Sequence, residues 1–259
     1  MGEAILSALL KKRLTLPENV VVKEVIESRR EHLAKMHGIG VTGSGVEAVR
    51  PADIIILAVK PQTLPEVLTE LSGQIKRKQL VLSIMAGVKI DTLRNGLRHD
   101  RIVRSMPNTP AQIGEGMTVW TATGDVTDRQ KKTTRNILGV MGKEIYVDDE
   151  KMIDMATAVS GSGPAYFFLF LEALLDAAVG IGLPRDMAKQ MALQTMLGSA
   201  ELIERSGREP AELREMVTSK GGTTAVALSV FEEGDFKNLV AKAIEAAYKR
   251  ARVLGGERI

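Results

Sequence analysis

Cysteine is absent from the 259 residues, which excludes disulfides, thiolate nucleophiles and cysteine-ligated metals and fits a reducing compartment. Histidine is nearly absent too: His32, His37 and His99 are the whole supply. His32 and His37 stand in a polar stretch at the wrong spacing for two ligands on one helical face, so both are expected to be solvated and metal catalysis is set aside. There is no charge excess of note. The formal net charge is +3, with Lys and Arg scattered among Asp and Glu, so no basic stripe points to nucleic acid. A long uninterrupted apolar run is also missing. The most apolar segment, Ala165 to Gly182, carries Glu172 and Asp176, so a buried helix is expected there and no membrane span. The start, MGEAILSALLKK, has no basic region ahead of its apolar residues, so no targeting segment is read and the cytoplasm is the expected compartment.

What is present is an ordinary globular composition, 44% apolar and 26% charged, in a chain long enough for two domains with real cores. Up to Asp148, β-branched runs alternate with helical stretches, the pattern of a parallel sheet covered by helices. Strands are expected at 19–25, 53–59, 79–84 and 101–106, a weaker one at 39–42, and edge strands at 117–121 and 144–147. Helices are expected at 3–12, 28–37, 61–71, 90–97 and 127–141. Beyond Asp148 the strand signal ends and helical periodicity runs on, broken at Gly/Pro/Ser punctuation. The expected organisation is therefore an α/β Rossmann-like domain over 1–148 and an all-α domain over 149–259. Met187, Met191 and Met196 fall near helical spacing and are expected in its core. Helices apolar on more than one face suggest burial in a bundle or between subunits.

Candidate binding residues lie at both ends of this arrangement. Gly2 opens the first helix, where a dinucleotide fold presents backbone N–H groups to a pyrophosphate, although no strand and no earlier glycines precede it. Glu24 stands where an acidic residue binds a ribose 2′-hydroxyl, whereas Ser28, Arg29 and Arg30 suit a 2′-phosphate. These two cues conflict, and solvated surface charge accounts for all four residues equally well. The runs DIIILAV and RIVRSM stop at Lys60-Pro61 and at Pro107-Asn108, the carboxyl edge where open α/β sheets bind ligands, but proline-bracketed turns need no ligand. In the helical half, Ser219, Gly221, Gly222, Thr223 and Thr224 fall at the start of a helix, where unpaired N–H groups and the dipole favour an anion such as a small carboxylate. On these residues alone, plain capping is the better account.

The frame PAELREMVTSKGGTTAVALSVFE, Pro210 to Glu232, resembles the signature of pyrroline-5-carboxylate reductases. AVKP at Ala58–Pro61, SMPNTP at Ser105–Pro110 and AVSGSGPAYFF at Ala158–Phe168 are similar to motifs of that family in the same order. The resemblance implies a Rossmann domain that binds NADPH or NADH, a helical half that forms an interlocked homodimer, and reduction of the C=N bond of 1-pyrroline-5-carboxylate to L-proline. By the same resemblance, Gly2, Arg29, Ala58, Val59, Lys60, Pro61, Met106, Pro107 and Asn108 meet the cofactor, and Lys60 is near enough to touch cofactor or substrate. Ser219, Gly221, Gly222 and Thr223 hold the substrate carboxylate, while Thr224 positions the ring nitrogen and relays its proton.

One departure from the family stands at the beginning. Members open with a strand and a G-x-G-N-M-G turn, of which only Met1-Gly2 is matched; about ten residues, a strand and its turn, are expected to be missing. In the usual strand order that strand is central, so a gap in the sheet is expected. The rival expectation is a truncated dimeric relative with impaired catalysis and weak or no cofactor binding. A related hydroxyacid or imine reductase shares the Rossmann half but gives no reason for TSKGGTT.

Overall fold

The computed structural model describes residues 1–257, which form two compact units: Met1–Pro164 with the chain from Ala246 onward, and Ala165–Glu245. The first unit runs α1 (Gly2–Lys11), β1 (Val21–Lys23), α2 (Glu27–His37), β2 (Gly40–Thr42), α3 (Gly45–Val49), β3 (Ile54–Leu57), α4 (Leu64–Leu71), β4 (Leu80–Ser83), α5 (Ile90–Leu97), β5 (Ile102–Met106), β6 (Gly116–Ala122), α6 (Asp128–Gly139), β7 (Gly142–Tyr146) and α7 (Lys151–Ala156). A π-helical turn, Thr157–Gly161, follows before α8 (Gly163–Gly180). The helices α9 (Arg185–Ser206), α10 (Pro210–Met216) and α11 (Thr223–Glu233) belong to the second unit, and α12 (Phe236–Leu254) returns the chain to the first.

Strand periodicity builds the α/β core. In β4 every residue is buried, and its alternate side chains serve opposite faces, as a pleated strand requires. Leu80 and Leu82 pack with Ile5 of α1, Val103, Trp120 and Ile137 and Leu138 of α6. Val81 packs on the other side with Ile55, Leu57, Leu64 and Val67 of α4, and Leu93 and Leu97 of α5. Helices thus cover both faces, the doubly wound arrangement expected from the alternating elements. Thr127 starts α6 with a capping box, exchanging hydrogen bonds with Gln130.

The sheet is interrupted at the expected place. Strands β1 and β2 pair in parallel as a two-stranded sheet, and β3 to β7 form a second sheet in sequence order, parallel except for β5 with β6. In a doubly wound order a central strand lies between β1 and β3; among the described residues none does. Helix α1 bridges the seam, with Ile5, Ala8 and Leu9 against the larger sheet and Leu6 and Leu10 against Val20, Val22 and Val41. On the opposite face Glu70 of α4 accepts from the Gly45 N–H and pairs with Lys23.

The compact units divide later than the change in sequence character at Asp148. Helix α7 packs with the strands because Ile153 joins Val119 and Val147 and Asp154 is buried on Arg104 of β5, Oδ1 to Nη2 2.6 Å. The same guanidinium donates from Nη1 to Glu150 at 2.8 Å. The end of α12 closes on the loop after β4. Gly87, with φ +71°, leaves room for Leu254, and Glu257 bonds Lys89 Nζ at 2.6 Å and Arg252 Nε at 2.7 Å.

The helical unit departs from expectation in its burial. The apolar segment of α8 is not buried within this chain: Phe167, Phe168 and Leu169 are 64%, 64% and 66% exposed. Met187 and Met191, expected in the core, are half exposed. Periodicity registers an apolar face without saying whether the same chain covers it. The helical stretch Lys151–Gly180 is also long and apolar enough to cross a membrane, by length and composition alone; an apolar face awaiting another protein surface passes the same test.

Candidate active site

Residues expected at the cofactor lie at the carboxyl edge of β3, β4 and β5, which run parallel and so end together. Beyond β3, the Lys60 carbonyl accepts from the N–H and hydroxyl of Thr63, fixing Ala58–Pro61 as a tight turn. Helix α1 starts directly beside it: a Cβ added at Gly2 would lie 3.1 Å from the Ala58 Cβ. Met1 makes no side-chain cap, so first-turn N–H groups face the edge unpaired, the condition for holding a phosphate. These residues fit a dinucleotide in part: the helix start and the strand-end loops are in place, whereas the earlier glycines of the usual turn are not among the described residues.

Beyond β5, Met106 touches the π-helical turn, where a Cβ on Gly161 would fall 2.8 Å from its Cε. Pro107 is buried. Asn108 uses both ends of its amide within the protein, donating to the Ser160 carbonyl at 3.1 Å and accepting from the Met117 N–H at 2.9 Å. Its amide therefore braces this loop against the π-helical turn and β6, a role that sequence spacing does not display. Single π-helical turns inside helices gather at functional sites.

The conflicting cues after β1 separate in space. Glu24 turns its carboxylate back to the Ile26 N–H at 3.0 Å. Arg29, expected at the cofactor, bonds Glu3 of α1. His37, expected to be solvated, is largely buried with Nε2 3.4 Å from the same Glu3. Burial pushes the Glu3 carboxyl up, but the bonds from His37 and Arg29 outweigh it and leave its pKa below the usual carboxylate value. Arg30 reaches the carboxyl end of β1, donating from Nη1 to the carbonyls of Glu24 and Val25 at 2.8 and 3.0 Å.

In the helical unit, TSKGGTT links α10 to α11. Thr218 ends the first helix by donating to the Arg214 carbonyl at 2.6 Å. Gly221 takes the left-handed conformation at φ +73°, which favours glycine, and a Cβ on Gly222 would displace the Ser219 hydroxyl. Gly222 is the N-cap of α11 and no side chain caps that end. Capping by Ser219, Thr223 or Thr224 is thus not what these hydroxyls do here. The first N–H groups of α11 remain available to an anion beside Ser219 and Thr223, which are exposed, and Thr224, which is half-buried.

Similarity to known proteins covers almost the whole chain. Residues 150–254 match the family described as pyrroline-5-carboxylate reductase dimerisation, and residues 1–87 match NADP oxidoreductase coenzyme F420-dependent. The pyrroline-5-carboxylate reductase of Synechocystis sp. is 42% identical, over 98% of this chain and 95% of that protein. That of Escherichia coli is 40% identical, over 98% and 94%. Among solved structures, Plasmodium falciparum pyrroline carboxylate reductase with NADP bound superposes with a TM-score of 0.90 at 34% identity, covering 98% of this chain and 94% of that one. Identity at this level and coverage on both sides, together with the Rossmann-like and helical units, place the chain in the pyrroline-5-carboxylate reductase family.

Proposed function

We propose that the protein reduces the C=N bond of 1-pyrroline-5-carboxylate to L-proline at the expense of NADPH, with NADH as a substitute, the last step of proline biosynthesis. The observation that carries this reading is the uncapped start of α11, where free N–H groups, Ser219, Thr223 and Thr224 stand together. That end suits a carboxylate: the N–H groups of Gly221 and Thr223 and the Ser219 hydroxyl hold it, with Gly222, whose own N–H closes the turn on the Ser219 carbonyl, leaving room beside them, supported by the helix dipole. Thr224 hydrogen-bonds the ring nitrogen. A hydroxyl is too weak an acid to protonate an imine unaided, so Thr224 orients the nitrogen and passes on a proton that it already shares with water. The bound reduced nicotinamide supplies the hydride. Gly2, Ala58–Pro61 and Met106–Asn108 hold and orient that cofactor at the strand ends, with Lys60, which is exposed, adding a positive charge.

The protein acts as a homodimer in the cytoplasm. Exposed Phe167, Phe168 and Leu169 on α8 support pairing, because a second copy would remove this apolar surface from water. Purified protein mixed with 1-pyrroline-5-carboxylate and NADPH should consume the nucleotide and yield L-proline in equal amounts. Absence of proline formation, with the nucleotide and the dimer both present, would refute the assigned reaction.

A further inference from the structure

We infer that Glu257 is a positioning residue for the reduction: by gripping Lys89 it fixes the loop between β4 and α5, which borders the nicotinamide end of the cofactor cleft. This rests on the cofactor reading above and extends it to a residue 168 positions from Lys89 in the sequence. The loop, Ile84 to Lys89, leaves the carboxyl end of β4, and β4 lies between β3 and β5. It is thus flanked by Ala58–Pro61 on one side and by Met106–Asn108 on the other. A dinucleotide with its adenosine ribose at the end of β1 and its pyrophosphate at the start of α1 has the ends of β3 to β5 left for its other half. Near its start the loop is tied to the sheet: the Ser105 hydroxyl donates to the Ser83 carbonyl at 3.0 Å, and the Met85 N–H to the Ser83 hydroxyl at 3.3 Å. At its far end Val88 is buried in the core and the Ile90 N–H donates to Glu150 Oε1 at 2.8 Å. Lys89, between those two, is where the turn after α12 takes hold.

The backbone places Glu257 for this contact. Gly256 has φ +84°, its N–H bonds the Val253 carbonyl at 3.0 Å, and the Glu257 N–H bonds the Arg252 carbonyl at 3.1 Å. That pair of bonds is a Schellman turn, which fixes the residue following the left-handed glycine. The carboxylate then divides between two cations, Oε1 to Lys89 Nζ at 2.6 Å and Oε2 to Arg252 Nε at 2.7 Å. Two glycines permit the approach. A Cβ on Gly87 would stand 2.7 Å from the Leu254 Cβ, and one on Gly255 would stand 3.0 Å from the Lys89 Cε. A part-exposed ion pair adds little to stability, so the larger consequence of this one is where it holds the loop. A displacement of about 1 Å in groups that orient a reacting pair lowers the rate steeply even when the change lies far from the chemistry.

The test is steady-state turnover of 1-pyrroline-5-carboxylate beside direct NADPH titration, for wild type, Glu257→Gln, Lys89→Met, Lys89→Arg, the double variant Lys89→Met/Glu257→Gln and Arg94→Met. Glu257→Gln and Lys89→Met should each lower kcat by about tenfold, with the NADPH dissociation constant within about threefold of wild type because the phosphate-holding start of α1 is untouched. The double variant should lose no more than either single one, since all three remove the same contact. Lys89→Arg keeps a cation for Glu257 and should recover most of the rate. Arg94→Met breaks a surface pair of similar length, 2.7 Å to Asp100, in the same helix α5 but away from the loop, and should leave kcat unchanged. Circular dichroism at the assay temperature verifies that each variant is folded, so that a fall in kcat reports position and not unfolding. A kcat for Glu257→Gln within about twofold of wild type, losses that multiply in the double variant, or an equal loss in Arg94→Met would overturn the role. Turnover by wild type with unchanged variants would sink this role alone; wild type without turnover would sink the proposed reaction and this role with it.

Discussion

Replacing Asp154 with alanine removes one carboxylate from the buried pair that fastens α7 to β5. The Arg104 side chain is 1% exposed and that of Asp154 4%, so the guanidinium cannot turn to water when its partner goes. Its Nε already has no hydrogen-bond partner, and only Glu150, at 2.8 Å and 31% exposed, would remain. Breaking a buried pair from one side costs about 3–5 kcal/mol, and the surviving Glu150 contact argues for the lower end, about 3 kcal/mol. For a chain of this size each kcal/mol moves the melting midpoint by roughly 2–4 °C, so Asp154→Ala should melt roughly 6–12 °C below wild type. Circular dichroism at one fixed protein concentration measures this, the concentration being held because association shifts the midpoint. The double variant Arg104→Met/Asp154→Leu removes both charges and refills the volume, and should recover most of the loss. A fall of under about 2 °C for Asp154→Ala, or a double variant no more stable than the single one, would refute the reasoning.

Thr224→Ala should lower kcat by about 100-fold, with nucleotide affinity unchanged and Thr224→Ser restoring most of the rate; unchanged turnover would remove Thr224 from the mechanism. Phe168→Glu places a charge on the exposed face of α8 and should raise the dimer dissociation constant by about 30-fold or more, an effect of about 2 kcal/mol visible by analytical ultracentrifugation. Gly87→Ala combines φ +71° with a Cβ 2.7 Å from the Leu254 Cβ and should cost about 2 kcal/mol in urea unfolding. Burial lowers the His99 pKa, against the opposing bond to the Gln79 carbonyl. A histidine that protonates more readily when unfolded destabilises the fold as pH falls below about 6.5. His99→Gln should remove that part of the pH dependence between neutral and mildly acidic conditions, and an identical slope in the variant would count against it.

The alternating apolar runs around Leu80–Ser83 and Ile54–Leu57 made the parallel strands legible, because a strand buried on both faces has few other compositions open to it. The helix starts were readable from Gly2 and Thr127, and the break in TSKGGTT from its paired glycines. Other features depend on groups distant in the chain. Arg29 and Arg30 are neighbours of the same type, and nothing local says that Glu3, from another helix, takes the first and leaves the second. The pairing of Asn108 with Ser160 and the burial of Arg104 on Asp154 likewise join segments whose spacing follows no period. The exposure of Phe167, Phe168, Met187 and Met191 was hidden for another reason: an apolar stripe reads the same whether its own chain or a second one covers it.

Among the described residues no backbone ladder joins β1 and β2 to β3–β7. Across a continuous ladder, strands open together because each opening breaks backbone bonds shared with the next. Here the described contacts across the seam are side chains of α1, the Glu70 carboxylate and α3, which meets β1 and β2 and sends Val49 into the core beside β3. Amide exchange should therefore resolve two protection classes, a faster one for β1–α2–β2 and a slower one for β3 to β7. Truncating Leu6, whose side chain packs with Leu33, Ile39 and the β1–β2 strands, should accelerate the first class alone. The β1–α2–β2 segment would then open more readily than the ladder that carries the strand ends before Lys60 and Asn108.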